Sequence, residues 1–163
     1  MKQSSAKLVV EALKENEVRF ITVLPDDWMS EVYQIMSKDS YFKVVPVTHE
    51  GEGVSICAGA WCGGMRSAIL MENSGLRSAA EPLGRLYSYP VLLLMSYRGD
   101  VGDRAHFARA IGRTTEPILR ALDIPYLVVR KDDEIKRAIQ DVVRSLDTAQ
   151  GAVALLFSGE VVR

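Results

Sequence analysis

The sequence has few of the residues that build disulfide frameworks and metal sites. Its 163 residues include two cysteines and two histidines. Cys57 and Cys62 lack the CxxC spacing of redox and zinc sites, so we predict two small buried side chains in or beside a helix. The Asp-rich loops that bind calcium are also missing. We therefore predict that this chain supplies no metal ligand.

The sequence also lacks a charge excess and a long apolar run. It has 20 basic and 21 acidic side chains, a formal net charge of −1, so electrostatics gives no reason to expect nucleic acid as a partner. No apolar run has the length of a membrane span, and charges follow quickly where a signal peptide would be apolar. We expect a cytoplasmic protein without membrane contact, with one domain over residues 1–163.

Short apolar runs alternate with segments of helical period. The predicted strands are Val18–Leu24, Phe42–Val47, Ala68–Met71, Val91–Met95, Tyr126–Val129 and Ala152–Phe157. The predicted helices are Ser5–Glu15 with a serine as N-cap, Asp27–Met36, Glu50–Cys62, Ser74–Leu86, one with Pro117 in its first turn and Thr115 or Glu116 near its cap, and one over Ile135–Leu146. This alternation predicts an α/β fold of three αβα layers around a six-stranded, mostly parallel sheet.

Three polar segments follow the first three predicted strands: LPDD, THEGEG and ENSGLRS. Because parallel strands end at the same edge of a sheet, we expect these segments to meet where such sheets bind ligands. No GxGxxG, GxxxxGK[ST] or GxSxG motif occurs. Their absence excludes the common dinucleotide, P-loop and hydrolase sites.

Glu50 is the residue in these segments that is the best candidate for a catalytic role. It lies between the strand FKVVPV and the apolar helix GVSICAGAW. Glu50 or Glu52 could simply favour the helix start, where a carboxylate is stabilised. A carboxyl group at a dry strand end is alternatively a candidate for proton transfer. The residues alone leave both interpretations open.

Four separated motifs resemble one enzyme family. VTHEGEGVSICAGAWCGG is similar to the pyrimidine-binding domain of thiamine diphosphate enzymes, with Glu50 at the catalytic glutamate and Gly59 at the helical glycine. AILMENSGLRSA resembles the AIxxQNSGLGN segment of sulfopyruvate and phosphonopyruvate decarboxylases, and LPDDWM resembles their first-strand loop. The segment from Tyr97 to Tyr126 resembles their RG…H…GR.T..L.ALGIPY pattern. The match spans nearly the whole chain, and it is closest for the alpha subunits of the sulfopyruvate enzymes.

The resemblance implies a thiamine diphosphate-dependent decarboxylase of 2-oxo acids, most simply of 3-sulfopyruvate. It implies that Glu50 bonds the pyrimidine ring nitrogen and so activates the cofactor. It further implies that Pro25, Asn73, Ser74 and Gly75 line the cofactor site. Phosphonopyruvate or another 2-oxo acid, a carboligase reaction, and a non-catalytic subunit that keeps the fold are the alternatives.

The resemblance also implies a partner. The family holds the diphosphate and Mg²⁺ with a GDG…N motif, which this sequence does not contain. A beta subunit would carry that motif, and symmetric pairing would give an α2β2 assembly or a multiple of it. The chain would be inert without this partner.

A substrate with a second anionic group would need cationic side chains. The candidates for substrate binding are Arg77, Arg98, His106 and Arg113. The sequence departs from the QNSGLGN pattern with Glu72 and Arg77. Arg77 could compensate the charge of Glu72 or bind an anion itself.

Overall fold

The six predicted strands form one sheet. A computed structural model describes residues 1–149 and 151–162. The strands are β1 (Phe20–Val23), β2 (Lys43–Pro46), β3 (Ser67–Glu72), β4 (Leu92–Ser96), β5 (Tyr126–Val129) and β6 (Val153–Phe157). They lie in the order β2-β1-β3-β4-β6-β5, and every neighbouring pair is parallel. The predicted αβα fold is confirmed, with a sheet that is fully parallel.

Seven α-helices cover the sheet in the described residues. They are α1 (Gln3–Glu15), α2 (Ser30–Met36), α3 (Glu50–Cys62), α4 (Gly75–Ser78), α5 (Ala80–Arg85), α6 (Arg109–Ala121) and α7 (Ile135–Ala149). Short 3₁₀ turns at Asp27–Met29, His106–Ala108 and Asp132–Glu134 lead into α2, α6 and α7, and a fourth turn spans Gly159–Val161. No described helix is long and apolar enough to cross a membrane.

Strand β3 shows how the two faces of the sheet are sealed. Ala68 and Leu70 pack into the core beneath α1, α2 and α7, whereas Ile69 and Met71 pack into the core beneath α3 to α6. This alternation follows from the two-residue period of a strand. All four side chains are buried. The apolar composition of the central strands therefore reflects burial on both faces.

The start of α6 differs from the prediction. The helix begins at Arg109, so Pro117 lies in its interior and Thr115 is not a cap. Two contacts with other parts of the chain fix this earlier start. Gly112 packs backbone to backbone against Gly99, and the hydroxyl of Thr115 accepts a hydrogen bond from Asn73 Nδ2 at 2.8 Å.

Two other predicted helices were wrong in detail. The predicted helix over Ser74–Leu86 is two short helices that meet at Ala79. Pro82 has no N–H for the carbonyl of Ser78, so the hydrogen-bond ladder is interrupted there. Helix α1 begins without a side-chain cap. The hydroxyl of Ser5 donates instead to Asp132 Oδ1 at 2.8 Å, next to α7.

The two cysteines differ in environment. Cys57 is buried, as predicted, and its thiol lies 3.2 Å from the hydroxyl of Thr22. Cys62 is exposed, so the prediction of a buried side chain was wrong for this residue. It lies at the last position of α3.

Candidate functional site

The three polar segments meet at the carboxyl edge of the sheet, as the sequence predicts. They surround an open cavity of about 330 Å³. Its lining comprises Leu24, Pro25, Asp26, Asp27, Glu50, Glu72, Ser74 and Arg98. The cavity thus gathers residues that follow β1, β2, β3 and β4, which is the usual place for ligands in a parallel sheet.

The carboxyl group of Glu50 is held from one side. The hydroxyl of Ser78 donates to Glu50 Oε2 at 2.5 Å. Gly75 lies directly against the same side chain, since a Cβ atom at position 75 would be 2.6 Å from Glu50 Cδ. Among the described residues, no donor reaches Oε1 of Glu50. One carboxyl oxygen is therefore fixed, and the other is open to a ligand.

The start of α3 separates Glu50 from Glu52. His49 is the N-cap, and its Nδ1 accepts the Gly51 N–H at 3.1 Å. Glu52 Oε2 accepts from both the N–H and the hydroxyl of Thr48, at 3.1 and 3.2 Å. Glu52 therefore takes part in capping the start of the helix. The carboxyl group of Glu50 is not used for capping, which favours the interpretation of Glu50 as a proton-transfer residue.

Arg98 is already neutralised by two carboxylates. Its Nε donates to Asp103 Oδ2 at 3.0 Å, and its NH1 lies 3.7 Å from Glu72 Oε2. The guanidinium group also lies over the rings of Trp28 and Phe107, at 4.5 and 5.6 Å from their centroids. The counterion of Glu72 is therefore Arg98, and the proposed compensation by Arg77 is not observed.

Asn73 ties three parts of the chain together. Its Nδ2 donates to the carbonyl of Arg98 at 3.0 Å and to the hydroxyl of Thr115 at 2.8 Å. Its Oδ1 accepts the N–H of Arg98 at 3.0 Å. Asn73 is only 1% exposed. Both amide hydrogens are thus used within the protein, and the side chain holds the loop after β4 on α6.

The remaining predicted substrate residues lie outside this cavity. His106 and Arg113 line a second cavity of about 620 Å³, beside Tyr97 and the start of α6. Arg109, which the sequence argument did not single out, lines it too. Arg77 is exposed on α4. Of the four predicted cations, only Arg98 shares the cavity of Glu50.

Two residues of the site were missed from the sequence. Ser78 positions Glu50, and Asp26 lies in the wall of the same cavity. Asp26 stands in the LPDD segment, so its place after the first strand is the signal that could have found it. Ser78 gave no such signal, because its contact with Glu50 spans 28 residues and depends on how α4 packs.

These features define a parallel α/β domain with a cavity at the carboxyl edge of its sheet and a carboxyl group there that is bonded through one oxygen. No protein-family model matches the chain. Sulfopyruvate decarboxylase subunit alpha of Methanothermobacter thermautotrophicus is 34% identical over 160 residues, covering 96% of this chain and 97% of that protein. The subunit of the same name from Methanococcus maripaludis is 31% identical over 156 residues, covering 94% and 93%. The chain belongs to the family of sulfopyruvate decarboxylase alpha subunits.

More distant proteins agree with this assignment. Phosphonopyruvate decarboxylase of Streptomyces viridochromogenes is 27% identical over 126 residues, covering 74% of this chain and 32% of that protein. Among solved structures, 2-oxoglutarate:ferredoxin oxidoreductase from Magnetococcus marinus has a TM-score of 0.71 at 20% identity, covering 99% of this chain and 29% of that one. The solved structure supports the fold alone. The predicted family, and with it a decarboxylase subunit, is confirmed.

Proposed function

We propose that this chain is the alpha subunit of a thiamine diphosphate-dependent enzyme that converts 3-sulfopyruvate to sulfoacetaldehyde and carbon dioxide. The observation that carries the proposal is the carboxyl group of Glu50. One of its oxygens is bonded to Ser78, and the other is open to the cavity at the sheet edge. That arrangement stands in a chain that matches alpha subunits of this activity along nearly their full length.

The residues present fit one half of the cofactor. Glu50 Oε1 can bond a ring nitrogen of the aminopyrimidine, while Leu24 and Pro25 offer an apolar wall. Thiamine diphosphate supplies the nucleophilic carbon and the electron sink that decarboxylation of a 2-oxo acid needs. In this proposal Glu50 holds a proton at Oε1 toward the pyrimidine, and Ser78 keeps the carboxyl group in that orientation.

The diphosphate half of the cofactor requires another chain. In the described residues, no group of three or more His, Cys, Asp or Glu could hold a metal ion. The sequence has no GDG…N motif either. The relatives are named as subunits, which implies a partner. We propose that this chain acts in the cytoplasm with a beta subunit that supplies the diphosphate site and Mg²⁺, in an α2β2 complex or a multiple of it.

The predicted cofactor residues take different parts in this proposal. Pro25 and Ser74 line the cavity and can contact the cofactor. Gly75 acts by leaving room for the Glu50 side chain. Asn73 acts at a distance, because its buried amide orients Arg98 and the loop that follows β4.

The predicted substrate residues lie in different parts of the structure. Arg98 is the cation nearest Glu50, and its charge is balanced by Asp103 and Glu72. His106 and Arg113 line the neighbouring cavity and form no ion pair among the described residues. We propose that they meet the sulfonate group, because charge-assisted bonds to such an anion are strong. Arg77 remains a further candidate from its place on α4.

Phosphonopyruvate is the second candidate substrate. It differs from sulfopyruvate in the anionic group at the far end, and the phosphonopyruvate decarboxylases are among the relatives. Unpaired cations in an open cavity could accept either group. A comparison of the two substrates therefore decides the point.

The test is reconstitution with a beta chain that contains GDG…N. Each subunit alone and the complex would be assayed for release of carbon dioxide from sulfopyruvate and phosphonopyruvate. We expect activity only from the complex, with sulfopyruvate preferred. Activity of the alpha chain alone would contradict the shared site. A complex that binds thiamine diphosphate but releases no carbon dioxide from either acid would contradict the decarboxylase assignment.

A further inference from the structure

The cavity beside the start of α6 adjoins the Glu50 cavity and differs from it in charge. Arg98 lines the Glu50 cavity, and the next residue, Gly99, lines the second cavity, so the two lie side by side. Four acidic residues and one arginine line the Glu50 cavity. Two arginines, Arg109 and Arg113, line the second cavity, which has a volume of about 620 Å³. An anionic part of a substrate is therefore better placed in the second cavity.

The acidic residue of the second cavity is already paired elsewhere. Asp100 Oδ2 accepts from Arg130 at 2.8 Å and from the hydroxyl of Ser158 at 2.6 Å. Within the described residues, neither Arg109 nor Arg113 forms an ion pair or a side-chain hydrogen bond. Both guanidinium groups therefore keep their charge and their N–H donors for a ligand.

Helix α6 places the two arginines one turn apart. Arg109 is the first residue of the helix and Arg113 lies four residues further on, the spacing at which side chains on a helix are neighbours. Like charges at this spacing destabilise a helix, and an anion bound between them would remove the repulsion. The backbone contact between Gly112 and Gly99 holds this turn of α6 against the loop that follows β4. The backbone that carries both arginines is thus fixed beside the Glu50 cavity.

The proposed substrate has a group that fits this pair. 3-Sulfopyruvate carries a carboxylate, which leaves as carbon dioxide, and a sulfonate, which stays on the product. The sulfonate is ionised at neutral pH and has three acceptor oxygens. A guanidinium group can meet two such oxygens with parallel hydrogen bonds, and charge-assisted bonds of this kind are stronger than neutral ones. A 2-oxo acid with an apolar end forms no such bonds.

We propose that Arg109 is a specificity-determining residue, which forms the sulfonate subsite with Arg113 and selects 2-oxo acids that carry a second anionic group. The pattern RG…H…GR.T includes His106 and Arg113 but leaves the position of Arg109 open. Arg109 is thus the cation that this chain adds to the cavity. This inference rests on the proposed function.

The first test measures kcat and KM for sulfopyruvate in the reconstituted complex. Arg109→Gln keeps a polar side chain but loses the charge and the paired donors. We expect KM to rise about 10- to 100-fold through the loss of charge-assisted hydrogen bonds, with kcat within about threefold of the wild type. Arg109→Lys, which keeps the charge without the paired donors, should fall between the two.

The matched control for this test is Arg104→Gln. Arg104 is exposed in the same segment and does not line the cavity. Both kcat and KM of this variant should stay within about twofold of the wild type, as expected for a charge that does not touch the substrate.

The second test needs no turnover. 3-Sulfopropionate has the carboxylate and the sulfonate of the substrate but a methylene group in place of the oxo group, so it binds without reacting. Titration calorimetry would give its dissociation constant for the complex. We expect Arg109→Gln to weaken this binding by about 10- to 100-fold and to leave the affinity for thiamine diphosphate unchanged. Inorganic sulfate should compete with 3-sulfopropionate in the wild type and less well in the variant.

The outcomes separate this inference from the proposed function. An unchanged KM in Arg109→Gln, a fall in kcat alone, or an equal rise in KM in Arg104→Gln would overturn the subsite while leaving the decarboxylase intact. Wild-type affinity of Arg109→Gln for 3-sulfopropionate, or no binding to the wild type, would also overturn the subsite. A wild-type complex that binds 3-sulfopropionate but releases no carbon dioxide from sulfopyruvate would instead overturn the proposed function.

Discussion

The two halves of the carboxyl edge of the sheet treat their carboxyl groups differently. Above β1 and β3, Glu50 and Asp26 each use one oxygen within the protein and leave the other unbonded. Above β4 and β6, Asp103 accepts from Arg98 and from two backbone N–H groups. Asp100 there accepts from Arg130 at 2.8 Å and from Ser158 at 2.6 Å. Among the described residues, Glu50 and Asp26 lie in no ion pair and form the open half. Asp103, bonded at both oxygens, and Asp100, paired with Arg130 through Oδ2, form the satisfied half.

This difference distinguishes carboxyl groups that are available for catalysis from carboxyl groups that stabilise the fold. A buried polar group that is fully bonded fixes the chain around it, and its removal leaves its partners unsatisfied. An oxygen without a partner costs stability and is kept only where it serves another purpose. We therefore expect changes at the carboxyl groups of the open half to affect turnover, and changes at the carboxyl groups of the satisfied half to affect stability.

The largest effect on the open half should come from Gly75→Ala. The new Cβ atom would overlap the carboxyl group of Glu50 and displace it. A misplaced catalytic group can cost about 100-fold in rate, which we expect for kcat of the reconstituted complex. Gly84→Ala is the matched control, because nothing lies within 4 Å of a Cβ atom there. Equal turnover of both variants would show that the position of Glu50 does not matter.

The satisfied half should respond to Asp103→Ala. Asp103 is 5% exposed on its side chain, and its removal leaves Arg98 and two backbone N–H groups without their acceptor. We expect a loss of about 2–3 kcal/mol in the free energy of unfolding at pH 7. Asp133→Ala, at an exposed position, should change it by less than about 0.5 kcal/mol.

The Asp103 effect should depend on pH. Burial acts to raise the pKa of this group, but the Ala105 and Gly99 N–H groups and Arg98 outweigh burial and hold the pKa below its usual value of 3.8. The stabilisation is therefore complete above that value and is lost as the pH falls through the lower folded-state pKa. Denaturant unfolding at pH 7 and pH 3 checks this. A difference between wild type and variant that grows on acidification would contradict the pairing.

A smaller effect is expected at Tyr126. Its hydroxyl donates to Glu116 Oε2 at 2.6 Å and is the main cause that lowers the pKa of Glu116. Glu116 keeps bonds from Tyr97 and Arg120 when Tyr126 is changed. Tyr126→Phe should therefore cost about 1 kcal/mol or less at pH 7, and less at pH 3, because this contribution falls as the pH drops toward and through the lowered pKa of Glu116. Thermal unfolding at pH 7 and pH 3 measures this loss of stability. A variant that lost turnover while keeping its stability would contradict the structural role of Tyr126.

Much of the architecture could be predicted from local pattern. The strands β1 to β6 are apolar runs bounded by polar segments, and their parallel arrangement follows from the helices between them. The meeting of LPDD, THEGEG and ENSGLRS follows in turn from that arrangement. Glu50 was found because its position at a strand end coincides with a family motif.

The rest depends on contacts between distant residues. Pro117 predicted a helix start, but the packing of Gly99 on Gly112 sets the start of α6 earlier. Asn73 reads as a polar loop residue, and only the fold shows that its amide is enclosed by Arg98 and Thr115. No local pattern distinguishes an oxygen with a partner from one without.

The role of Glu50 is tested by comparing Glu50→Gln with Glu52→Gln in the reconstituted complex. The two residues are two positions apart on α3, and both changes replace a carboxyl group by an amide of the same shape. We expect Glu50→Gln to lower kcat with sulfopyruvate by at least about 100-fold with an unchanged melting temperature. Glu52→Gln should keep kcat within about twofold and lose up to about 1 kcal/mol of stability through its bonds to Thr48. Full activity of Glu50→Gln, or equal losses in both variants, would contradict the assignment of Glu50.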